Sequence, residues 1–355
     1  FSLRGEELNP MRRKRIDLLA ATVFLAVFSV STVSAQTEGA AAEKLAEALN
    51  HYSLLEFDKG LEIASGLLER PDLTAIDSVA ILEALSIITY AKGEEYVKQS
   101  IEYLDKISEI GPCVSRLPQE IWPQELRDHW YRMAQAKNQL VCETEGSDEI
   151  TTIAVMEFDN HSVGEYQEKL GALSKGLADF FQHDFAKISS LNVVERDKID
   201  FVLKEIALQQ SGSVDKATAV KVGKILGAQL MVFGTIMQLD ARNTRMAVRV
   251  VKVETSEIIA SVDEEGRPDY SKMEKGLVKK LAAELDIKLT KEVETLIDKG
   301  GTVSVDATGY YAAGLDAMDK YDYAAAYESF KKAYELDNAF VEAKRKMEIY
   351  RPLAG

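Results

Sequence analysis

The chain has 355 residues, of which 46% are hydrophobic, so it can bury more than one core. Its net charge of −15 argues against nucleic acid as a partner, because binding phosphates requires clustered lysine and arginine, and the mature part has no such cluster. The same charge disfavours docking on anionic lipid head groups.

The first 35 residues read as an over-extended start followed by a secretory signal peptide. A basic cluster at residues 12–15 precedes an apolar run at residues 18–30 and then the small residues Val33 and Ala35. This layout predicts export and cleavage near Ala35. The alternative is an uncleaved anchor, but an apolar run of about 13 residues is short for a spanning helix. We therefore expect no membrane insertion after cleavage.

Two cysteines, Cys113 and Cys142, fall in the part predicted to be exported. Two thiols in an oxidising compartment form a disulfide more often than a redox or metal site. Our hypothesis is a Cys113–Cys142 disulfide, which would stabilise the fold by roughly 3–4 kcal/mol in the chain-entropy model. No cysteine lies at the predicted cut to accept a lipid anchor.

Residues 36–145 predict a helical domain that resembles tetratricopeptide repeats (TPRs). Apolar residues such as Leu45 and Leu49 recur at helical spacing. Ala48 and Gly60 fit the small-residue positions of a tetratricopeptide repeat loosely. Generic helical hairpins are the alternative interpretation.

Residues 150–290 alternate between strand and helix patterns, which predicts an α/β fold with a mixed sheet flanked by helices. The predicted strands are residues 153–158, 191–194, 230–239, 246–253 and 257–262. The third of these is apolar on both faces and is therefore expected to be central in the sheet. Gly227 predicts the end of a helix, and Gly234 predicts close packing against the sheet.

Residues 308–355 predict helices of the tetratricopeptide type, following a linker at residues 291–307. Small residues and one phenylalanine recur at the spacing where two helices of such a repeat approach closely. The predicted repeat-packing residues are Gly314, Ala326, Phe330 and Ala333. A last helix at residues 340–350 would cover the apolar face that one repeat leaves exposed. A generic helical hairpin is again the alternative. All-α regions are thus expected on both sides of the α/β domain.

Five segments of the middle region occur in an order that is typical of one protein family. They are IAVMEFDN at 153–160, LNVVERDKIDFVLKE at 191–205, LQQSGSVD at 208–215, VGKILGAQLMVFGTI at 222–236 and VRVVKVETSEII at 248–259. Together they resemble the curli production assembly/transport family of the CsgG type, whose fold is also similar to the N-terminal domain of the TolB translocation protein. The resemblance implies a periplasmic α/β domain over about 150–290.

In the secretion channel of that family, two long hairpins cross the membrane, and each needs roughly twenty residues plus a turn. This chain has only residues 240–245 at the first place and 263–269 at the second, and many of them are charged. The hypothesis is a domain without the pore. The acidic residues 263–265 lack the spacing of a calcium loop and are expected to form a solvated turn.

No catalytic, cofactor or metal site is predicted. The four histidines, at positions 51, 129, 161 and 183, are scattered and lack ligand spacing. Asp159 to Ser162 offers an acid, a base and a nucleophile, but adjacent residues rarely converge as a triad. We interpret this segment as a strand-to-helix loop with Ser162 as the helix cap, and Asp197 as the cap of a later helix.

The mature protein is therefore interpreted as a non-enzymatic periplasmic adaptor or scaffold in cell-envelope assembly or export, without a cofactor. Its expected partners are envelope or secreted proteins, with self-association through the α/β domain as a further option. Two alternatives stay open. One is a ring-forming component of an outer-membrane secretion or transport machine, and the other is an unrecognised enzyme.

Overall fold

A computed structural model describes residues 40–111, 121–141, 151–171, 173–209, 216–299, 301–302 and 304–355. The chain forms two compact units, one up to Trp122 and the other spanning Pro123–Ala354. The predicted signal segment and both cysteines lie outside the described residues, so the predictions made for them stay predictions. Among the described residues, no helix is both long enough and apolar enough to cross a membrane.

The first unit is helical. Its helices are α1 (Ala40–Ser53), α2 (Phe57–Leu68), α3 (Ala75–Tyr90) and α4 (Val97–Ile110). Helix α3 begins with a capping box, in which the Thr74 hydroxyl accepts from the Asp77 amide and the Asp77 carboxylate accepts from the Thr74 amide. Leu45, Leu49 and Ile88 lie in the core that α1, α2 and α3 share.

Small residues allow two close approaches in this unit. A Cβ on Gly60 would lie 3.0 Å from the Ala48 carbonyl oxygen, so α2 packs directly against the backbone of α1. Ser86 and Ser100 each donate a hydroxyl hydrogen bond to the other's carbonyl, at 2.9 and 2.6 Å, and so join α3 to α4. These contacts fit a helical hairpin array, and the tetratricopeptide interpretation of this region stays a prediction.

The second unit contains a mixed sheet of six strands. They are β1 (Thr151–Val155), β2 (Asp159–Asn160), β3 (Leu191–Val194), β4 (Leu230–Gln238), β5 (Thr244–Lys252) and β6 (Ile258–Gly266). The order is β3-β1-β4-β5-β6, with β2 paired to β4. Strands β1, β3 and β4 are parallel, and β4, β5 and β6 form an antiparallel meander. The predicted α/β fold with a central β4 is confirmed.

Helices flank this sheet. They are α5 (Gln124–Ala136), α6 (Glu165–Lys169), α7 (Leu173–Phe185), α8 (Arg196–Gln209), α9 (Lys216–Ile225) and α10 (Tyr270–Glu284). Helix α7 contacts β1 and β3, and α10 contacts β5 and β6. The predicted N-terminal helical domain included α5, but α5 belongs to the second unit because it packs on α8.

Two glycines have the roles predicted for them. Gly227, two residues after the end of α9, has φ +65°, a left-handed conformation that glycine adopts at little cost as the helix ends. A Cβ on Gly234 would lie 2.1 Å from the Phe158 ring, so only glycine lets that ring pack on β4. The Phe158 ring in turn contacts Phe181 of α7, with ring centroids 5.0 Å apart.

The unit ends with α11 (Lys291–Asp298), α12 (Val305–Met318), α13 (Tyr323–Leu336) and α14 (Val341–Tyr350). The predicted linker at 291–307 therefore includes a helix, since Ile297 is fully buried and holds α11 against the unit. Helix α14 lies where a covering helix was expected.

Candidate functional site: a buried charge cluster and an open sheet face

The predicted repeat-packing residues come together between α12 and α13. Gly314 faces Phe330, and a Cβ at Gly314 would lie 2.5 Å from the phenylalanine ring. Phe330, Ala326 and Ala333 are all fully buried. Glycine at 314 therefore sets the distance between these two helices, whichever repeat class the hairpin belongs to.

One face of this hairpin is occupied by α7 of the same unit. The ring centroid of Phe180 lies 5.4 Å from that of Tyr311 and 5.7 Å from that of Phe340. The Tyr311 hydroxyl donates to the Asp179 carboxylate at 2.5 Å. This part of α12 is therefore covered by α7 and is not accessible to a partner protein.

The turns of the meander are short. Five residues, 239–243, join β4 to β5, and the Asp240 carboxylate accepts hydrogen bonds from the amides of Arg242 and Asn243 at 2.7 and 3.0 Å. Residues 263–265 were expected to form a turn, and this was wrong. They belong to β6 and pair with residues 245–247 of β5, which extends the hairpin by four residues.

The segment from Asp159 to Ser162 does not cap a helix, which corrects the prediction for Ser162. Asp159 and Asn160 form β2, and the Ser162 hydroxyl accepts from the Gln238 amide of β4 at 2.9 Å. Helix α6 begins after Gly164 instead. The segment extends the sheet because its polar groups satisfy the end of β4.

A buried group of charged residues, which we call the charge cluster, centres on Arg196 at the start of α8. Its guanidinium binds both carboxylate oxygens of Asp319, the C-cap residue of α12, at 2.7 and 3.0 Å. It also donates to Asp197 at 2.9 Å and to Asp200 at 3.1 Å. Helix α8 begins at Arg196, so Asp197 lies inside its first turn and the predicted cap at Asp197 is wrong.

Two further cations extend the charge cluster to other helices. Arg127 of α5, with 3% of its side chain exposed, forms an ion pair with Asp197. Lys175 of α7 donates to Asp319 at 2.8 Å and also binds Asp316. Four helices, α5, α7, α8 and α12, are thus joined through one buried network.

The electrostatics of the charge cluster differ from one carboxylate to the next. Burial alone would raise the pKa of Asp319, but hydrogen bonds and charge from Arg196 and Lys175 hold that pKa well below its usual range. Burial raises the pKa of Asp200 to about 7, against the attraction of Arg196. Burial likewise raises the pKa of the neighbouring Glu195 to about 8.

The carboxylates of Asp197, Asp200 and Asp319 lie within 4.8 Å of one another, a spacing that also suits a metal ion. Within the described residues this is the one group of that kind, and no histidine belongs to it. The Arg196 guanidinium donates to all three carboxylates and so takes the central position of a cation. The arrangement therefore fits an arginine-centred ion network.

The second feature is an exposed part of the sheet. Side chains of a strand alternate between the two faces, and on one face α9 covers β4 only as far as Met231, against which Gly223 packs. Beyond that point the side chains on this face are half-buried or exposed. The open face, as we name it, consists of Phe233, Thr235 and Met237 of β4 and Arg245, Ala247 and Arg249 of β5.

Three cross-strand rows make up the open face: Phe233 with Arg249, Thr235 with Ala247, and Met237 with Arg245. The Arg249 guanidinium lies over the Phe233 ring, 5.3 Å from its centroid. The other face of the same strands is fully buried, as at Ile236. The meander therefore has one face in the core and one facing solvent.

The family comparison locates a known domain in this unit. Residues 134–248 match the family model described as the curli production assembly/transport component CsgG. This CsgG-like segment covers 115 of the 355 residues and holds α5 in part, β1 to β4 and most of β5. The resemblance predicted for about 150–290 is confirmed as far as residue 248, and it begins earlier than expected. A search of curated proteins found no match.

Several solved structures are similar to parts of the chain. The C-terminal domain of LpoB from Salmonella enterica is 16% identical over 38% of this chain and 90% of its own, with a TM-score of 0.26. Lipoprotein GNA1162 from Neisseria meningitidis is 15% identical over 39% and 99%, with a TM-score of 0.27. TolB from Acinetobacter baumannii is 11% identical over 39% and 29%, with a TM-score of 0.27. At these scores the similarities carry no information on function.

Proposed function

We propose that this protein is a non-enzymatic, exported adaptor or scaffold of the cell envelope, which acts in assembly or export by binding other proteins. The CsgG-like segment at 134–248 supports an envelope role. The signal-peptide layout of residues 11–35 supports export to the periplasm.

One observation carries the proposal. The charge cluster fixes α12 on the CsgG-like segment through Arg196 and Asp319, while the side chains of the open face in the same unit stay half-buried or exposed. A rigid body with one uncovered face of mixed apolar and charged residues is what a protein-binding module requires. Since α7 occupies the predicted repeat on one side, we assign the main binding role to the open face.

The charge cluster supports a structural role over a catalytic one. Its carboxylates and cations neutralise each other and are buried, as in ion networks that position helices. An enzyme would instead keep an acid, base or nucleophile within reach of a substrate.

The connection between β4 and β5 supports the absence of the family's spanning hairpins. It has five residues, closed by hydrogen bonds to Asp240, where a hairpin of the channel type needs roughly twenty.

Site-specific photo-crosslinking in intact cells of the source organism tests the function. A photoreactive residue replaces Thr235 on the open face, and a matched control replaces Ser261, which lies on the outer strand of the same face. Further controls replace Glu328 of α13 and Glu62 of α2, both away from it. We expect cross-links to envelope proteins from position 235, weaker ones from 261 and fewest from 328 and 62. Failure to cross-link any other protein from all four positions would contradict an adaptor.

The same experiment addresses the ring-forming alternative. Cross-links only between copies of this chain, together with one large species of defined mass in light scattering, would favour a ring. A monomer in light scattering that cross-links to other proteins supports the adaptor.

A further inference from the structure

A second group of charged residues, separate from the charge cluster, lies where α7, α10 and α14 meet. Lys187, which follows α7, and Lys275 of α10 both bind Asp184 of α7, at 2.5 and 3.1 Å. Glu274 of α10 and Glu342 of α14 add two more carboxylates to the same region. We call these five residues the second cluster, and they join the three helices to one another.

Glu274 is the member of the second cluster whose charge is not balanced. It is fully buried, and its Oε1 atom has no hydrogen-bond partner among the described residues. Its Oε2 atom lies 3.8 Å from the Lys275 ammonium, which is beyond hydrogen-bonding distance. Lys275 also binds Asp184, so three carboxylates share two ammonium groups. A buried carboxylate without a counter-charge is unstable, and the carboxyl group becomes neutral by binding a proton.

The charged groups that act on Glu274 come from α10 and from both helices beside it. They are Asp184, Lys187, Lys275 and Glu342. On the sides of α10 that face α11 and β6, Lys279 and Lys280 already pair with Asp298 and Glu264, at 2.6 and 3.0 Å. The surrounding charges therefore leave one carboxyl group of the second cluster without a cation.

His183 does not supply the missing cation at neutral pH. Its Nε2 atom lies 4.0 Å from Glu342, but burial lowers its pKa, so the ring is neutral at pH 7. The other charged groups around this ring are Lys187, Asp184 and Asp179. Burial and the charge of Asp184 raise the pKa of Glu274 well above its usual range, in agreement with the count of charges.

Helix α11 and the backbone after it are held by members of the second cluster. Lys187 donates to the Leu296 carbonyl of α11 at 3.1 Å. Glu342 accepts a hydrogen bond from the Gly301 amide at 2.9 Å. The positions of α11 and of Gly301 therefore depend on the charges of the cluster.

The backbone at Gly301 closes the second cluster against α10. A Cβ on Gly301 would lie 2.1 Å from the Ser271 hydroxyl oxygen and 3.6 Å from Cε of Lys275. Ser271, Glu274 and Lys275 stand at positions i, i+3 and i+4, so they share one face of the helix, and all three are buried. Movement of this backbone away from α10 would admit water to that face.

Few other contacts hold α11 in place. Ile297 is the one buried residue of this helix, and most of the others are exposed. The ion pair of Lys279 with Asp298 joins partly exposed side chains and contributes little. An element with so few buried apolar contacts opens locally at a lower free-energy cost than the core does.

We propose that α11 and the backbone at Gly301 form a pH-sensitive clasp over the second cluster, which is closed while the Glu274 carboxyl carries a proton and opens when that carboxyl ionises. The proton passes to water, and the open clasp lets water hydrate the carboxylate. Because the closed form binds the proton, it is favoured at low pH and is lost as pH rises. This proposal concerns regulation and does not depend on the adaptor function.

Hydrogen exchange measured by mass spectrometry on the full-length mature chain tests the clasp. The amides of α11, residues 291–298, are followed from pH 6 to pH 9, with rates corrected for the intrinsic pH dependence of exchange. We expect α11 to lose protection at least tenfold over this range. The amides of β5 lie in the core of the same unit and should change less than twofold.

Matched variants assign the effect to one carboxyl group. Glu274→Gln stays neutral at every pH, so its α11 should change less than twofold between pH 6 and pH 9. Glu274→Met is a second neutral variant, which tests the same point without a buried amide. Glu284→Gln makes the same chemical change at an exposed position of the same helix and should keep the tenfold effect of the parent.

The infrared spectrum tests the proton itself. At pH 6, subtracting the spectrum of Glu274→Gln from that of the parent should leave the C=O stretch of a neutral carboxylic acid. This band should disappear over the pH range in which α11 loses protection.

Three results would overturn the proposal: a parent whose α11 does not respond to pH, neutral variants that respond as the parent does, or a difference spectrum without the acid band. Loss of protection throughout the unit at pH 9 would indicate global unfolding and would overturn it as well. None of these results bears on photo-crosslinking at Thr235, so the clasp and the adaptor function can fail separately.

Discussion

Four arginines of the second unit form two pairs with opposite surroundings. Arg127 and Arg196 are buried, and each meets carboxylates from another helix. Arg245 and Arg249 lie in the open face, where their contacts are one exposed carboxylate and one aromatic ring. Arginine therefore holds helices together in the first pair and is available to a binding partner in the second. Removing a buried arginine leaves buried carboxylates without a counter-charge, whereas removing an exposed one does not.

The largest expected effect comes from Arg196→Met. It removes the cation that buried Asp197 shares with half-buried Asp200 and Asp319, so we expect a loss of about 3–5 kcal/mol in the free energy of unfolding, measured by urea denaturation and circular dichroism. Arg249→Met is the matched control and should change stability by less than about 0.5 kcal/mol. Adding Asp319→Asn to Arg196→Met should restore part of the loss, because the two residues interact directly. Equal losses of stability in Arg196→Met and Arg249→Met would contradict the distinction between the buried and the exposed arginines.

The next effect concerns the hairpin that the charge cluster anchors. Gly314→Ala places a methyl group 2.5 Å from the Phe330 ring and should cost about 1–3 kcal/mol in the free energy of unfolding. Gly309→Ala, in the same helix, meets nothing within 4 Å and should raise stability by up to about 1 kcal/mol. Calorimetry of both variants measures these two changes in stability, which should have opposite signs. A stabilised Gly314→Ala variant would show that the close approach of α12 and α13 is wrong.

The charge cluster also predicts a dependence of stability on pH. Asp200 and Glu195 have raised pKa values, about 7 and about 8, so the folded state binds more protons than the unfolded state between about pH 4 and 8. Stability should therefore fall as pH rises through this window. Asp319 has a lowered pKa, so its contribution is present above about pH 4 and is lost in stronger acid.

Urea denaturation between pH 3 and 9 measures this profile, and we expect a maximum near pH 4–6. Asp200→Asn removes one of the two raised groups and should reduce the fall toward pH 8. A profile that rises steadily from pH 5 to 8 would contradict the assignment.

The smallest effect is expected on the open face. Arg245→Ala removes the ion pair with Asp263, which spans 3.4 Å between half-exposed side chains, and should cost less than about 1 kcal/mol. Unfolding in urea with and without 0.5 M salt measures it, and the difference from the parent should shrink in salt. A loss above 2 kcal/mol would mean that this face belongs to the core.

Local patterns predicted the elements better than the contacts between them. The apolar run 230–239 marked the central strand correctly, although a strand of that composition is expected to be covered on both sides and Met237 is exposed. Gly314 and Phe330 marked a close helix pair because their spacing is fixed by helix geometry. Residues 263–265 were misjudged, since acidic side chains are tolerated in an exposed edge strand and carry no signal that distinguishes it from a turn.

Local sequence patterns gave almost no indication of the charge cluster. Arg196 and Asp200 stand at the i, i+4 spacing of a helical ion pair, which was the one visible hint. Arg127 and Asp319 lie 70 and 123 residues away from their partners at Asp197 and Arg196, in segments that were assigned to other domains. Such pairs depend on how the helices pack against each other. Neither secondary-structure propensity nor the periodicity of apolar residues predicts that packing.

By itself, the amino-acid sequence determined the strand and helix order, the brevity of the sheet turns and the glycine positions, because these depend on backbone preference and on the spacing of neighbouring residues. Only the tertiary structure decided which charges are buried together and which sheet face stays exposed. Both follow from docking, since burial strips water from a charge and makes its partner obligatory, while an identical arginine left in water stays available to another protein.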